Sequence, residues 1–180
     1  MKATGIVRRI DDLGRVVIPK EIRRTMRIRE GDPLEIYTDN DGEVIFKKYS
    51  PIGEMSDFAS SIAESISNSI SMPVVVFDRD HCIAAAGIAK KEVLERRISS
   101  QAEELLENRM RFSKGEGDKN SVYPLEGVDK ASCVFSPVIV NGDIIGGITV
   151  LESDSNETYS PSVEKVCELA AEFLTKQMEE

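Results

Sequence analysis

The feature that most constrains this chain is a set of strand-like segments in its first fifty residues whose apolar side chains fall on successive positions. Val16-Val17-Ile18 and Val44-Ile45-Phe46 do not alternate apolar with polar, so each asks for cover on both faces. Fifty residues bury too small a share of their own surface to supply two covers. The segment is therefore expected to complete its core with a second copy, as an obligate homodimer whose hairpins interlock into one barrel-like core.

Local signals give the order of elements. Gly5 to Ile10 reads as a strand, Asp11-Asp12-Leu13-Gly14 as a turn, and Arg15 to Ile18 as a second strand ended by Pro19. Proline suits the first position of a helix, Glu21 complements the positive end of its dipole, and Arg24 and Arg27 lie near the other end. Ile22 and Met26 mark the apolar face of this helix. Lys20, Arg23, Arg24 and Arg27 follow the i, i+3, i+4, i+7 spacing that makes one basic stripe. Beyond Gly31-Asp32-Pro33, Leu34 to Thr38 and Val44 to Lys48 flank Asp39-Asn40-Asp41-Gly42, a second hairpin. Asp39, Asp41 and Gly42 lack the closing glutamate of a calcium loop, so turn chemistry is the better reading than metal.

Charge separates this segment from the rest. The chain carries −9 overall, yet residues 1–29 hold nine basic side chains against three acids, while residues 30–50 and the remaining 130 are acidic. A local basic patch governs approach to a polyanion because charges farther than about 8–10 Å are screened. No aromatic platform is interleaved with the arginines, which favours duplex DNA over single strands or RNA.

The run Thr4-Gly5-Ile6-Val7-Arg8-Arg9-Ile10-Asp11-Asp12-Leu13-Gly14-Arg15-Val16-Val17-Ile18-Pro19, followed by Glu21-Ile22-Arg23-Arg24-Thr25, resembles the N-terminal domain of the AbrB-type transition-state regulators over residues 1–50. The resemblance implies a dimeric swapped-hairpin β-barrel that reads DNA without a helix-turn-helix. It implies DNA-contacting arginines at Arg8, Arg15, Arg23 and Arg24, with Arg9, Lys20 and Arg27 as flanking phosphate contacts. Two of the four belong to the hairpin and two to the basic stripe. The longer chain is similar to sporulation regulators in which such a domain precedes a GAF domain.

Ser50-Pro51-Ile52-Gly53 interrupts the pattern, so residues 51–55 read as a linker and 56–180 as a regulatory domain. There, Phe58, Ile62, Ile66 and Ile70 recur every four residues and predict a helix. Pro73 to Phe77 and Cys82 to Gly87 read as strands about a polar turn at Asp78-Arg79-Asp80-His81, and Lys90 to Met110 as one charged helix. Arg111 to Asn120 reads as a polar loop. Ser132 to Val140 and Ile144 to Leu151 flank Asn141-Gly142, the strongest hairpin signal in the chain, and a helix starts at Ser160-Pro161 with Val163, Val166, Cys167, Ala170, Phe173, Leu174 and Met178 on one face. The fold class is α+β, with helices expected on one face of an antiparallel sheet, similar to a GAF domain. Packing of the first and last helices against a partner's pair would give a homotetramer as a dimer of dimers. A small-molecule pocket is compatible with such a domain, with no lining residues assignable.

Catalytic signatures are not found. His81 is the sole histidine, and beside Asp78 and Asp80 it reads as a hydrated turn rather than a metal or acid–base site. Cys82, Cys133 and Cys167 are widely spaced in apolar runs and read as small buried hydrophobes, neither a disulfide framework nor a metal set. No cofactor is expected. No apolar stretch approaches the roughly 20 residues of a membrane-spanning helix, and the N-terminus lacks the apolar region of a secretory signal, so the chain is placed in the cytoplasm. The functional expectation is a DNA-binding transcription regulator, activator or repressor. The alternatives are an antitoxin-like regulator whose C-terminal part binds a protein, and a metabolic enzyme with a DNA-binding appendage.

Overall fold

A computed structural model describes residues 5–115, 120–153 and 160–179. The chain divides into two compact units, Met1–Tyr49 and Ser50–Glu180. The first unit holds helix α1 (Lys20–Thr25) and strands β1 (Leu34–Thr38) and β2 (Val44–Lys48). The two strands pair antiparallel from Leu34↔Lys48 to Thr38↔Val44. Asp39 fixes the turn between them, its Oδ1 accepting the backbone N–H groups of Asp41 at 3.1 Å and Glu43 at 2.8 Å, while Gly42 supplies the positive φ.

Helix α1 is shorter than its charge pattern predicts. The chain turns at Arg27, φ 50°, where the Ile28 N–H donates to Arg23 O and the Arg27 N–H to Arg24 O. That pair of bonds is a Schellman ending with arginine in the position usually given to glycine. Lys48 then donates to Arg27 O at 2.7 Å and pairs with the nearly buried Asp32, tying the helix end to β2.

The strands expected at 5–10 and 15–18 carry no ladder among the described residues. A backbone bond from Asp11 N–H to Arg15 O closes the hairpin tip between them, beside the turn bond from Gly14 N–H to Asp11 O. A strand needs a neighbour to pair with, and residues 5–18 are assigned to no strand among the described residues. Val7 is 88% exposed and Leu13 70%, and among the described residues none before Ile52 is buried.

The second unit is built on a five-stranded antiparallel sheet in the order β4-β3-β7-β6-β5, from β3 (Val74–Asp78), β4 (Cys82–Ala86), β5 (Phe112–Ser113), β6 (Ser132–Val140) and β7 (Asp143–Leu151). Helices are α2 (Pro51–Glu54), α3 (Ser56–Ile70), α4 (Lys90–Val93), α5 (Ser100–Glu107) and α6 (Pro161–Glu179). The helices were expected on one face, but both faces are covered. Val74, Val76, Ile148 and Val150 pack with Ala59, Ala63, Ile66, Cys167 and Leu174 of α3 and α6. The alternate residues Val75, Phe77, Phe135 and Leu151 pack with Val93, Ala102 and Leu106 of α4 and α5. This is why β3 is an unbroken apolar run.

Three further expectations change. Residues 51–55 are not a loose linker: Ser50 caps α2 by accepting the Gly53 N–H at 3.1 Å, and Ile52 is fully buried against the α3–α6 core. The helix expected over Lys90–Met110 is broken in two. Glu95 takes φ 61°, its N–H donates to Cys82 O, the Cys82 N–H donates to Arg96 O, and Ser99 starts α5 by accepting the Ala102 N–H. The break lets Ile98 reach full burial beside β4, which outweighs the helical propensity of the charged stretch. In the predicted loop Arg111–Asn120, Phe112 and Ser113 pair with β6; residues 116–119 lie outside the described residues.

Candidate nucleic-acid interface

The basic residues of the first unit are presented by a tight turn and a short helix. In the turn, Asp11 Oδ1 accepts the N–H groups of Leu13 at 3.0 Å and Arg15 at 2.7 Å, and Asp11 Oδ2 accepts Arg15 Nε–H at 2.8 Å. These donors, the Arg15 backbone first and its guanidinium second, hold the Asp11 carboxyl below its ordinary value, so it stays ionised. The Arg15 side chain remains 69% exposed beyond this bond.

On α1, Lys20, Arg23 and Arg24 stand at i, i+3, i+4 and are exposed. Arg23 and Arg24 fill the last turn, where cations suit the dipole. Ile22, between Lys20 and Arg23 in sequence, is half-buried. Arg8 and Arg9 are exposed on the approach to the turn. Arg27 departs from the stripe: it lies past the helix end and is half-buried, so its backbone serves the cap rather than extending the helical row. The structure thus exposes Arg8, Arg9, Arg15, Lys20, Arg23 and Arg24, and sets Arg27 apart. Asp11 joins this group although the sequence marks it only as a turn residue; its i, i+4 spacing to Arg15 is the signal that points to the pairing.

In the second unit, Asp78 Oδ1 accepts the N–H groups of Asp80 and His81, both at 2.7 Å, so this carboxylate closes the turn that contains the sole histidine. Burial pushes the thiols of Cys82 and Cys167 up to about 12 and that of Cys133 to about 11, which keeps them protonated and unreactive. A cavity of about 510 Å³ opens where α3 ends and β4 finishes, lined by Ser67, Ser71, Met72, Gly87, Glu92 and Lys130 among others. No helix among the described residues is long and apolar enough to cross a membrane.

Comparison with known proteins places this architecture. Residues 54–179 match the family model described as stage V sporulation protein T C-terminal, transcription factor. Stage V sporulation protein T of Bacillus subtilis (strain 168) is 50% identical over 182 residues, covering 100% of both chains. The chain belongs to the stage V sporulation protein T family. Within the family frame, residues 7–53 match the model described as antidote-toxin recognition MazE, bacterial antitoxin. The transition state regulatory protein AbrB of the same organism is 59% identical over 63 residues, 32% of this chain and 65% of its own. The second unit has a GAF-like fold: the GAF domain of an Acinetobacter phosphoenolpyruvate-protein phosphotransferase superposes with a TM-score of 0.50 at 9% identity, over 69% of this chain and 81% of that one.

Proposed function

We propose that this family member is a sequence-specific duplex DNA-binding transcription regulator of sporulation-type developmental gene control. Residues 1–50 bind DNA through Arg8, Arg15, Arg23 and Arg24, flanked by Arg9 and Lys20. The observation that carries the reading is that all four arginines are exposed, on a turn and a helix of one small unit whose sequence is that of the AbrB-type domain. Arginine suits the task because its planar fork binds phosphate bidentately or reaches guanine edges. Arg27, set off the helix, is at most a backbone-side phosphate contact.

The apolar side chains left exposed in the first unit support a homodimer that closes its core with a second copy. On α6, Leu169 is 66% exposed and Phe173 50%, and Phe173 lies 5.6 Å from Phe58 of α3, centroid to centroid. This apolar strip supports pairing of α3 and α6 with the same helices of another copy, giving a homotetramer. The second unit acts in the cytoplasm as a regulatory rather than catalytic element, and its cavity, with one acid and one base in the lining, is the place a small polar ligand would enter.

The match of residues 7–53 to an antitoxin model favours one other reading, an antitoxin-like regulator whose second unit binds a protein. Stoichiometric co-purification of a small ribonuclease would support it. The regulator reading is tested with pure full-length protein and a duplex selected from a random pool. Arg23→Ala is expected to weaken binding about ten-fold, and to flatten the log–log salt dependence by about 0.9 for each arginine–phosphate pair removed per copy. A folded Arg23→Ala with unchanged affinity and slope overturns the assignment.

A further inference from the structure

Arg15 differs from the other exposed arginines of the first unit. Its Nε–H is held by Asp11 Oδ2 at 2.8 Å, and the other oxygen of that carboxylate is fixed by the N–H groups of Leu13 and Arg15. Backbone bonds from Asp11 N–H to Arg15 O and from Gly14 N–H to Asp11 O, each 3.0 Å, close the same turn. The carboxylate is thus immobilised first by backbone, and the guanidinium is then docked on it by one edge. Among the described residues, no acid side chain pairs with Arg8, Arg9, Arg23 or Arg24.

Resting on the DNA-binding reading above, we infer that Asp11 is a positioning residue that makes Arg15 a reader of bases rather than a phosphate anchor. A guanidinium has five N–H donors in a fixed plane. With Nε–H occupied, both terminal nitrogens remain available on a side chain that is 69% exposed. That fork matches the paired O6 and N7 acceptors of a guanine in the major groove. The orientation is set before DNA arrives, so less side-chain freedom is lost on binding. The same carboxylate is a poor neighbour for a phosphate: it offsets the Arg15 charge and repels the backbone. Asp11 therefore lowers sequence-independent attraction while raising discrimination, an arrangement that suits base readout.

The test compares wild type, Asp11→Asn, Arg15→Ala and the double variant of the full-length chain, on the pool-selected duplex and a scrambled duplex of equal length. Asparagine keeps an oxygen for the two backbone N–H groups but replaces the acceptor of Nε–H by a donor. Asp11→Asn is expected to lose about ten-fold in preference for the selected duplex, with scrambled-duplex affinity unchanged or tighter and a salt slope no flatter than wild type. Arg15→Ala should lose the same preference, and the double variant no more than either. A preference kept within about two-fold by Asp11→Asn but lost by Arg15→Ala overturns the positioning role while leaving DNA recognition at Arg15 intact. No effect of Arg15→Ala removes both. Should Asp11→Asn unfold the turn, wild-type nuclear magnetic resonance decides: the Arg15 Nε–H is expected to exchange with solvent more slowly than that of Arg8, free and DNA-bound, and equal rates overturn the inference.

Discussion

The two units solve the same problem, what to do with apolar strand residues, in opposite ways. In the second, the central sheet is covered on both faces by helices of its own chain, and Val74 to Phe77 are wholly inaccessible. In the first, Val7, Ile10, Val17, Ile36 and Val44 stay exposed although their sequence pattern is just as apolar. The difference is the number of covering helices: three of substance against one of six residues. A unit with its own cover can be tuned from within, whereas one without it makes its stability a property of the assembly.

The contrast can be broken most forcefully in the second unit. Leu174→Ala removes a fully buried side chain from the α3–α6 core and should cost about 2–5 kcal/mol, seen as a lower denaturant midpoint than wild type at the same protein concentration. Val17→Asp addresses the first unit. In an isolated chain it would be nearly neutral, since Val17 is 70% exposed; in the proposed dimer it places a charge in the core and should abolish assembly through residues 1–50 by sedimentation equilibrium.

Alkaline pH separates the units in a third way. All three cysteines lie in the second unit, with thiols raised to about 11 or 12 from an ordinary 9.0. Between about pH 9 and those values the unfolded chain gives up thiol protons that the folded one keeps, so this contribution is complete below about pH 9 and falls as pH rises. Hydrogen exchange at increasing alkaline pH should show the cysteines loosening the second unit, and replacing all three by alanine should flatten that trend. The smallest effect is expected at the β6–β7 turn, where Asn141 has φ 50°: Asn141→Ala should lower the stability of the second unit by about 1 kcal/mol, read from its melting midpoint.

Much of this was legible in the residues because the determinants are local. Asp39 to Gly42 and Asn141-Gly142 state their turns outright, and the β1–β2 register follows from them. The four-residue recurrence from Phe58 to Ile70 gives α3 almost to the residue. What escaped was set by distant partners. Nothing near Glu95 announces a break, since its cause is the edge of β4 and the burial of Ile98. Helices on both faces of the sheet follow from where α4 and α5 find room. Arg27 fits the basic stripe by count, but the Schellman bonds end the helix first. Composition and resemblance supplied the arginines, while the Asp11–Arg15 bond, hinted at by the i, i+4 spacing, was fixed only in three dimensions.

In the proposed dimer, residues 5–18 form paired strands with the hairpin of the second copy. Amide hydrogen exchange of the full-length protein across dilution tests it most directly. Slow exchange is expected at Val7 to Ile10 and Arg15 to Val17 at concentrations where the dimer forms, lost on dilution together with duplex binding. Fast exchange of these amides at a concentration where the selected duplex is bound at full affinity would contradict it.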